Sequence, residues 1–249
     1  MYERRVAIIE GLRISYITAG SSYNTIIFIH GLGGRAEAWL YQVKTLSTML
    51  RTIAIDLRGF GMSERPPTTP GTIDFARDIL GVMDWEGVDA AVITGSSMGG
   101  MVALRLYEIA EDRIRALALS NTSPRIKINL TLLRKALLEE DRDAQARIVR
   151  RLGSRRLAGL LSGSPHYILR VADKVQAEDL THIPARITKP TLLIGGELDP
   201  ITPPHELANL HRTIQSSTLK IISGAGHLAH IQKPREYTNL LIEFISKFT

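Results

Sequence analysis

One serine of the chain stands in a pattern that favours nucleophilic chemistry. Residues 95–99 read Gly-Ser-Ser-Met-Gly, so Ser97 is the central residue of a G-x-S-x-G motif. A strand-like apolar stretch (residues 90–95) precedes the motif and a helical pattern (99–110) follows it. A sharp turn from strand to helix presents a serine hydroxyl above a sheet, and glycines on both sides relieve the crowding in that turn. The motif predicts that Ser97 is a nucleophile, with an ordinary glycine-rich turn as the alternative.

A serine nucleophile needs a base, and the histidines of the chain are the candidates. The hydroxyl is weakly nucleophilic near neutral pH unless a base lies within hydrogen-bond distance. Of the seven histidines, His227 follows the last strand-like stretch in the sequence Gly-Ala-Gly-His, and His230 comes shortly after it. His205 and Glu206 begin like the zinc-binding motif H-E-x-x-H, but Asn209 stands where the second histidine is required. The sequence therefore predicts no metal site.

The motifs together resemble those of the α/β-hydrolase family. From residue 6 to the C-terminus, except in residues 125–186, the chain is similar to the carboxylesterase-like serine hydrolases of this family. The family order of nucleophile, acid and histidine is kept. The resemblance implies an α/β fold with a mostly parallel eight-stranded sheet flanked by helices, and an α-helical lid insert.

The resemblance also implies the other two members of a catalytic triad. His227 matches the catalytic-histidine loop of the family, and Asp199, in the sequence G-G-E-L-D, matches its G-x-x-D loop. The aspartate would fix the tautomer of the imidazole and stabilise the imidazolium. His230 as the base and Glu197 as the acid are the alternatives. Some relatives carry the acid after an earlier strand, where residues 120–122 of this chain read Ser-Asn-Thr and offer no carboxylate.

Two further loops match the family. Residues 30–34 read His-Gly-Leu-Gly-Gly and resemble its H-G-x motif, which implies that the backbone N–H groups of Leu32 and Met98 form an oxyanion hole. Residues 56–63 read D-L-R-G-F-G-M-S and resemble a second family turn. We interpret that turn as structural, with a buried ion pair that braces the site.

The glycines after His30 also fit a dinucleotide-binding fingerprint. Gly31, Gly33 and Ala36 satisfy G-x-G-x-x-G/A after a strand, and Asp56 ends the next strand as a ribose-binding acid would. The motif does not follow the first strand, however, and this interpretation gives His30 no role. A cofactor is therefore not expected.

The elements that must position these loops alternate between strands and helices. Short apolar stretches separated by helical patterns occur throughout residues 1–124 and 187–249, which favours a parallel sheet covered by helices. Residues 125–186 show only leucine-rich amphipathic stretches without a strand pattern. We therefore expect a hydrolase core (1–124 and 187–249) and a helical lid (125–186) over the carboxyl ends of the strands.

Composition narrows the class of protein further. The chain of 249 residues has no cysteine, which removes disulfides, thiolate metal sites and cysteine nucleophiles. No apolar run approaches the ~18 residues of a membrane span, and the N-terminus lacks a signal-peptide pattern. We expect a cytoplasmic protein that acts without a metal or cofactor and without a membrane partner.

The net charge of +6 is concentrated in the helical insert. Residues 125–186 contain 13 Lys and Arg against 7 Asp and Glu, a difference of +6, so the rest of the chain is neutral. The cluster Arg150, Arg151, Arg155 and Arg156 could attract an anionic substrate; solvated outer helix faces are the alternative. Nucleic-acid binding is not expected, because the only Phe, Trp or Tyr of this insert is Tyr167.

A serine at the turn predicts an acyl-enzyme and hence hydrolysis of a small-molecule carboxylic ester. Hydrolysis of enol-lactones, thioesters or carbon–carbon bonds needs the same triad and stays open. A receptor of the same fold with slow turnover also stays open. The leucines of the insert favour an aliphatic roof for short to medium acyl chains, although they could equally pack lid helices on one another. They are Leu130, Leu132, Leu133, Leu137, Leu138, Leu152, Leu157, Leu160 and Leu161.

Overall fold

An eight-stranded sheet runs through the centre of the molecule. The computed structural model describes residues 1–139, 141–152 and 162–247. The strands are β1 (Tyr2–Ile9), β2 (Leu12–Ala19), β3 (Thr25–Ile29), β4 (Arg51–Ile55), β5 (Ala91–Ser96), β6 (Ile114–Ser120), β7 (Thr191–Gly196) and β8 (Ser217–Ile222). Their order across the sheet is β1-β2-β4-β3-β5-β6-β7-β8. Only the pairs β1–β2 and β2–β4 are antiparallel, so the predicted mostly parallel eight-stranded sheet is confirmed.

Helices cover both faces of the sheet. They are α1 (Leu40–Leu46), α2 (Thr72–Trp85), α3 (Met98–Ala110), α4 (Leu130–Leu138), α5 (Arg142–Leu152), α6 (Pro165–Gln176), α7 (Pro204–Thr213), α8 (Ala229–Gln232) and α9 (Pro234–Ile245). Alternate residues of β3 face opposite sides: Ile27 and Ile29 join a core with α2 and α3, whereas Ile26 and Phe28 join a core with α1 and α9. Within the described residues, no helix has the length and apolarity needed to span a membrane.

The first hairpin is longer than its apolar pattern predicts. The sequence indicates a strand from residue 6, but β1 begins at Tyr2 and pairs with β2 as far as Ala19. Its two turn residues, Glu10 and Gly11, both have positive φ (48° and 79°), which is the backbone of a tight two-residue hairpin turn. The missed residues are mostly polar, and their pairing is made by the backbone rather than by burial.

Two short helical elements do not follow from the sequence pattern. The helical segment between β3 and β4 begins as a 3-10 turn, Ala36–Trp39, and α1 ends at Leu46. The four-residue helix α8 (Ala229–Gln232) is not predicted, because one turn is too short to show a period.

The insert between β6 and β7 is helical where the structure describes it. Residues 125–139, 141–152 and 162–186 contain α4, α5, α6 and a 3-10 turn (Pro184–Arg186), and no strand. Leu157, Leu160, Leu161, Arg155 and Arg156 lie outside the described residues.

Candidate active site

Ser97 occupies the sharp turn between β5 and α3. Its backbone has φ 56° and ψ −123°, a sparsely populated conformation for a residue with a side chain. A Cβ at Gly95 would lie 2.2 Å from Gly99 O, and a Cβ at Gly99 would lie 2.3 Å from Ile29 O. Glycine is therefore required on both sides of the serine, as the G-x-S-x-G pattern predicts.

Hydrogen bonds from β6 and the loop after it hold this turn. The Ser97 N–H donates to Ser120 O (2.9 Å), and the Thr122 hydroxyl donates to Ser97 O (2.7 Å). The same carbonyl accepts the Gly100 N–H (2.8 Å). These contacts offset the unfavourable backbone conformation at Ser97 and fix the direction of its side chain.

The structure brings Ser97, His227 and Asp199 together. His227 Nε2 lies 2.9 Å from Ser97 Oγ, and His227 Nδ1 lies 2.9 Å from Asp199 Oδ2. His227 and Asp199 are buried, whereas Ser97 is partly exposed. The three residues come from the loops after β8, β7 and β5, whose carboxyl ends share one edge of the sheet. This arrangement can transfer the hydroxyl proton of the serine to the imidazole.

The carboxylate of Asp199 is surrounded by donors. Oδ1 accepts the backbone N–H groups of Ile201 (2.8 Å) and Thr202 (3.1 Å), and Oδ2 accepts the Thr202 hydroxyl (2.6 Å) and the Asn121 amide (2.8 Å). Burial alone would raise the pKa of Asp199. The hydrogen bond and charge of His227, with the bonds from Thr202 and Asn121, outweigh burial and hold that pKa below its usual value. The aspartate is therefore ionised at neutral pH.

The alternative base and acid have other environments. His230 is buried, stacks on Trp39 with ring centroids 4.1 Å apart, and has its pKa lowered to about 3 by burial and by the charge of His227. Glu197 is exposed and accepts hydrogen bonds from the Ser223 hydroxyl (2.8 Å) and the Gly224 N–H (2.9 Å). Neither side chain is hydrogen-bonded to the Ser97–His227 pair within the described residues.

The loop after β3 forms a tight turn beside Ser97. The Gly34 N–H donates to Gly31 O (2.9 Å), and Gly33 has φ 70° while Leu32 does not have positive φ, which is the pattern of a type II turn. A Cβ at Gly31 would lie 3.2 Å from Ser97 Cβ, so the turn touches the serine.

Two backbone amides are left available at this point. The N–H groups of Leu32 and Met98 donate to no acceptor within the described residues. Met98 is the first residue of α3, where helical N–H groups lack intrahelical partners.

His30 is buried and holds the turn through contacts at both ring nitrogens. Its Nδ1 lies 2.7 Å from Gly31 O and its Nε2 lies 3.1 Å from the Leu57 N. Burial lowers the pKa of His30, against the effect of the Gly31 hydrogen bond and of the charges on Asp56 and Glu37. The neutral ring with a proton on Nδ1 satisfies both contacts.

The turn over residues 56–63 forms ion pairs with residues outside it. Asp56 pairs with Arg4 (2.6 Å) and accepts the Ala36 N–H (2.7 Å), and Arg58 pairs with the buried Asp78 (2.6 Å). Asp56 and Arg58 therefore do not pair with each other. Asp56 joins this turn to β1, and Arg58 joins it to α2. The dinucleotide interpretation gains no support, because the Asp56 carboxylate is fully buried and occupied.

No cation site is formed by the side chains that the structure describes. Within residues 1–139, 141–152 and 162–247, no group of three or more His, Asp or Glu could hold a metal ion.

Two residues around the triad are not predicted as site residues. Asn121, with φ 46°, and Thr202 both donate to the Asp199 carboxylate. The position of Asn121 directly after β6 was the available signal, since strand ends of a parallel sheet meet at one edge. Thr202 has no signal beyond its proximity in sequence to Asp199.

Comparisons with known proteins agree with this fold. A family model described as "alpha/beta hydrolase fold" matches residues 24–150 and 164–234. Among solved structures, a thermophilic esterase from Thermogutta terrifontis is 25% identical, superposes with a TM-score of 0.87, and covers 98% of each chain.

Two curated relatives are named for different activities. The dihydrolipoyllysine-residue acetyltransferase component of the acetoin cleaving system of Cupriavidus necator is 27% identical over 94% of this chain and 66% of its own length. The chain therefore spans about two thirds of that relative. A 2-hydroxy-6-oxo-6-(2'-aminophenyl)hexa-2,4-dienoic acid hydrolase of Metapseudomonas resinovorans is 25% identical over 99% of this chain and 92% of its own.

Proposed function

The chain belongs to the alpha/beta hydrolase fold family, and from this premise we propose that it is a serine hydrolase that cleaves small carboxylic esters through an acyl-enzyme. The observation that carries the proposal is the hydrogen-bonded series in which His227 joins Ser97 Oγ to Asp199 Oδ2, with 2.9 Å on each side. The esterase from Thermogutta terrifontis supports esters as the substrate class.

Acylation begins at the hydroxyl of Ser97. As Oγ attacks the ester carbonyl carbon, His227 Nε2 takes the hydroxyl proton and becomes an imidazolium. Asp199 accepts the Nδ1–H throughout and stabilises that charge without taking the proton. The tetrahedral intermediate then collapses, the bond to the alcohol oxygen breaks, and His227 returns the proton to the departing alcohol. The acyl group remains on Ser97 as an ester.

Deacylation repeats these steps with water. His227 takes a proton from the attacking water, a second tetrahedral intermediate forms, and the Ser97 oxygen leaves with the proton that His227 returns. In both intermediates the negative oxygen accepts the N–H groups of Leu32 and Met98, our proposed oxyanion hole. Such a donor commonly contributes ~3 kcal/mol to lowering the barrier.

Hydrolysis of other acyl-type bonds is the second candidate. The same residues can cleave an enol-lactone, a thioester or a carbon–carbon bond beside a ketone, because each forms an oxyanion at a carbonyl carbon. The relative from Metapseudomonas resinovorans favours this candidate, since the substrate in its name is an oxo acid without an ester. A panel of esters, a lactone, a thioester and that oxo acid, compared by kcat/KM, distinguishes the two.

We also propose that residues 125–186 act as a lid on the site. Two contacts support this role. The Ser162 N–H donates to Gly33 O (2.7 Å), and Gln232 joins the Gly226 N–H (2.6 Å) beside His227 to Leu152 O (3.2 Å). The insert therefore contacts the loop after β3 directly, and the loop that carries His227 through Gln232.

The leucines of the insert leave its effect on substrate choice open. Leu133 and Leu137 pack against the core cluster, which favours the interpretation that such leucines hold the helices in place. An aliphatic roof for short to medium acyl chains predicts faster hydrolysis of butyryl than of benzoyl esters. Equal rates would contradict it.

The test is hydrolysis of p-nitrophenyl butyrate by the wild type, Ser97→Ala and Ser96→Ala, with fluorophosphonate labelling of each. Ser96→Ala is the matched control, because the Ser96 hydroxyl has no hydrogen-bond partner within the described residues. We expect Ser97→Ala alone to lose turnover and label. Labelling of the wild type without turnover on the substrate panel would favour a receptor of this fold. Absence of both would overturn the proposed function.

A further inference from the structure

Ser162 of the helical insert makes three hydrogen bonds to the loops after β3 and β4. Its backbone N–H donates to Gly33 O (2.7 Å) and its hydroxyl donates to Gly34 O (2.5 Å). The Gly61 N–H donates to the same hydroxyl oxygen (2.9 Å), which fixes the direction of the O–H bond. Ser162 thus holds Gly33 and Gly34, the last two residues of the turn that contains Leu32.

These bonds continue through two peptide groups to the Leu32 amide. In a trans peptide the C=O and the N–H point in opposite directions. Gly33 O, which Ser162 holds, shares its peptide group with the Gly34 N–H, and that N–H donates to Gly31 O (2.9 Å). Gly31 O in turn shares its peptide group with the Leu32 N–H. The Ser162 hydroxyl restrains the same series, because it holds Gly34 O, the carbonyl of the residue whose N–H donates to Gly31 O. The backbone N–H and the hydroxyl of Ser162 therefore both help to set the direction of the Leu32 N–H.

His30 meets the same series from the other side. Its Nδ1–H donates to Gly31 O (2.7 Å), so this carbonyl accepts one bond from His30 and one from Gly34. Gly33, with φ 70°, and Gly34 would be easily deformed without these contacts, because glycine has a wide choice of backbone conformations. His30 and Ser162 therefore hold the turn at both ends, and this preorganises the Leu32 N–H as a donor.

We propose that Ser162 is a positioning residue for the oxyanion hole: its hydroxyl holds Gly34 O and thereby keeps the Leu32 N–H aimed at the developing oxyanion. The inference rests on the proposed function. It makes the helical insert part of the chemical step as well as of substrate access. Donors in such a series also polarise one another, which strengthens the last bond when the oxyanion forms.

The test compares Ser162→Ala, which loses the hydroxyl bonds to Gly34 O and the Gly61 N–H but keeps the N–H bond to Gly33 O, with Ser162→Thr, which keeps the hydroxyl, and with Ser164→Ala. The last is the matched control, because Ser164 is in the same insert but caps α6 by accepting the Tyr167 N–H. We measure kcat and KM for p-nitrophenyl butyrate and the inhibition constant of butylboronic acid, whose tetrahedral adduct with Ser97 places an oxygen at the oxyanion position.

A misaimed donor reduces the stabilisation of the transition state and leaves substrate binding unchanged. In Ser162→Ala we expect kcat to fall about tenfold with KM unchanged, and the boronate inhibition constant to rise by a similar factor. Ser162→Thr should restore both. Unchanged kcat and boronate inhibition in Ser162→Ala, or equal losses in Ser164→Ala, would overturn the proposal.

Two further measurements keep the result decisive. If Ser162→Ala does not fold, as judged by thermal melting, Ser162→Cys replaces it, since a thiol is a weaker donor. A lower kcat at wild-type KM then supports the proposal, and a wild-type kcat overturns it. Turnover and fluorophosphonate labelling of the wild type come first. A wild type without either overturns the proposed function, whereas an active wild type with an unaffected Ser162→Ala overturns this inference alone.

Discussion

Asn121 donates its side-chain amide to the same oxygen of Asp199 that faces His227. The Asn121 Nδ2 to Asp199 Oδ2 distance is 2.8 Å, and the His227 Nδ1 to Oδ2 distance is 2.9 Å. The two donors come from loops after β6 and β8, on either side of the β7 loop that carries the aspartate. Asn121 therefore braces the carboxylate against the imidazole.

Removal of the Asn121 amide should slow the chemical step. We choose Asn121→Gly, because glycine adopts the φ of 46° at this position without strain. A hydrogen bond to a charged group contributes ~1.5–3 kcal/mol, so kcat should fall about tenfold or more while KM stays the same. Asn129→Gly, which removes the cap of α4, is the control and should keep the wild-type kcat. A wild-type kcat in Asn121→Gly would show that Asp199 needs no such brace.

The stability of the protein should depend on pH through His230. Folded His230 stays neutral down to a pKa of about 3, whereas an unfolded histidine takes up a proton near pH ~6.5. Between these values the unfolded state binds more protons, so stability falls as pH falls, by about 1.4 kcal/mol per pH unit from this group.

Urea denaturation at several pH values between neutral and about 5 tests this effect. His230→Phe keeps a ring against Trp39 and should show a shallower acid loss of the free energy of unfolding than the wild type. His205→Phe, at an exposed position, is the control. Parallel pH curves for the wild type and His230→Phe would contradict the assignment of His230 as a buried neutral residue.

Gly59 should tolerate no side chain. Its φ is 80°, and a Cβ there would lie 2.3 Å from the Tyr167 ring. Gly87 has φ 64° with open space around it, so Gly87→Ala isolates the backbone cost of ~1–2 kcal/mol. Gly59→Ala should cost ~1–3 kcal/mol more, because it also overpacks the contact with the insert. Chemical denaturation of both variants gives the difference, and equal losses would mean that Tyr167 moves aside freely.

If the basic insert attracts an anionic substrate, kcat/KM for an anionic ester should fall as the salt concentration rises. Several cations of α4 and α5 are exposed and form no ion pair within the described residues: Arg134, Lys135, Arg142, Arg147 and Arg150. Screening over ~10 Å at 0.1 M salt would lower kcat/KM for the anionic ester and leave a neutral ester unchanged. Arg142→Glu with Arg147→Glu should reproduce the loss at low salt. A flat salt response for both esters would leave these cations as solvated outer faces.

The site loops could be predicted because their signals are local. The glycines on either side of Ser97, and Gly224 (φ 65°) before His227, are required by the backbone at those places, and each loop directly follows a strand. The parallel sheet then follows from the alternation of elements, and it brings the ends of β5, β7 and β8 to one edge.

The support of the site could not be predicted, because it is tertiary. Asn121 and Asp199 are 78 residues apart, and Ser162 meets Gly34 across 128 residues. Nothing in a polar side chain reveals a partner at that distance. The pairing of Arg4 with Asp56 was missed for the same reason, since β1 reads as polar where it supplies the arginine.

The backbone of Ser97 sets a condition on any effort to evolve this protein. Its conformation, φ 56° and ψ −123°, costs ~1–3 kcal/mol and would cost little for glycine. A library screened for heat resistance alone would therefore enrich chains that have lost the hydroxyl at position 97. Laboratory selection for stability must include a turnover assay in every round, because the most stable variants and the active variants differ at position 97.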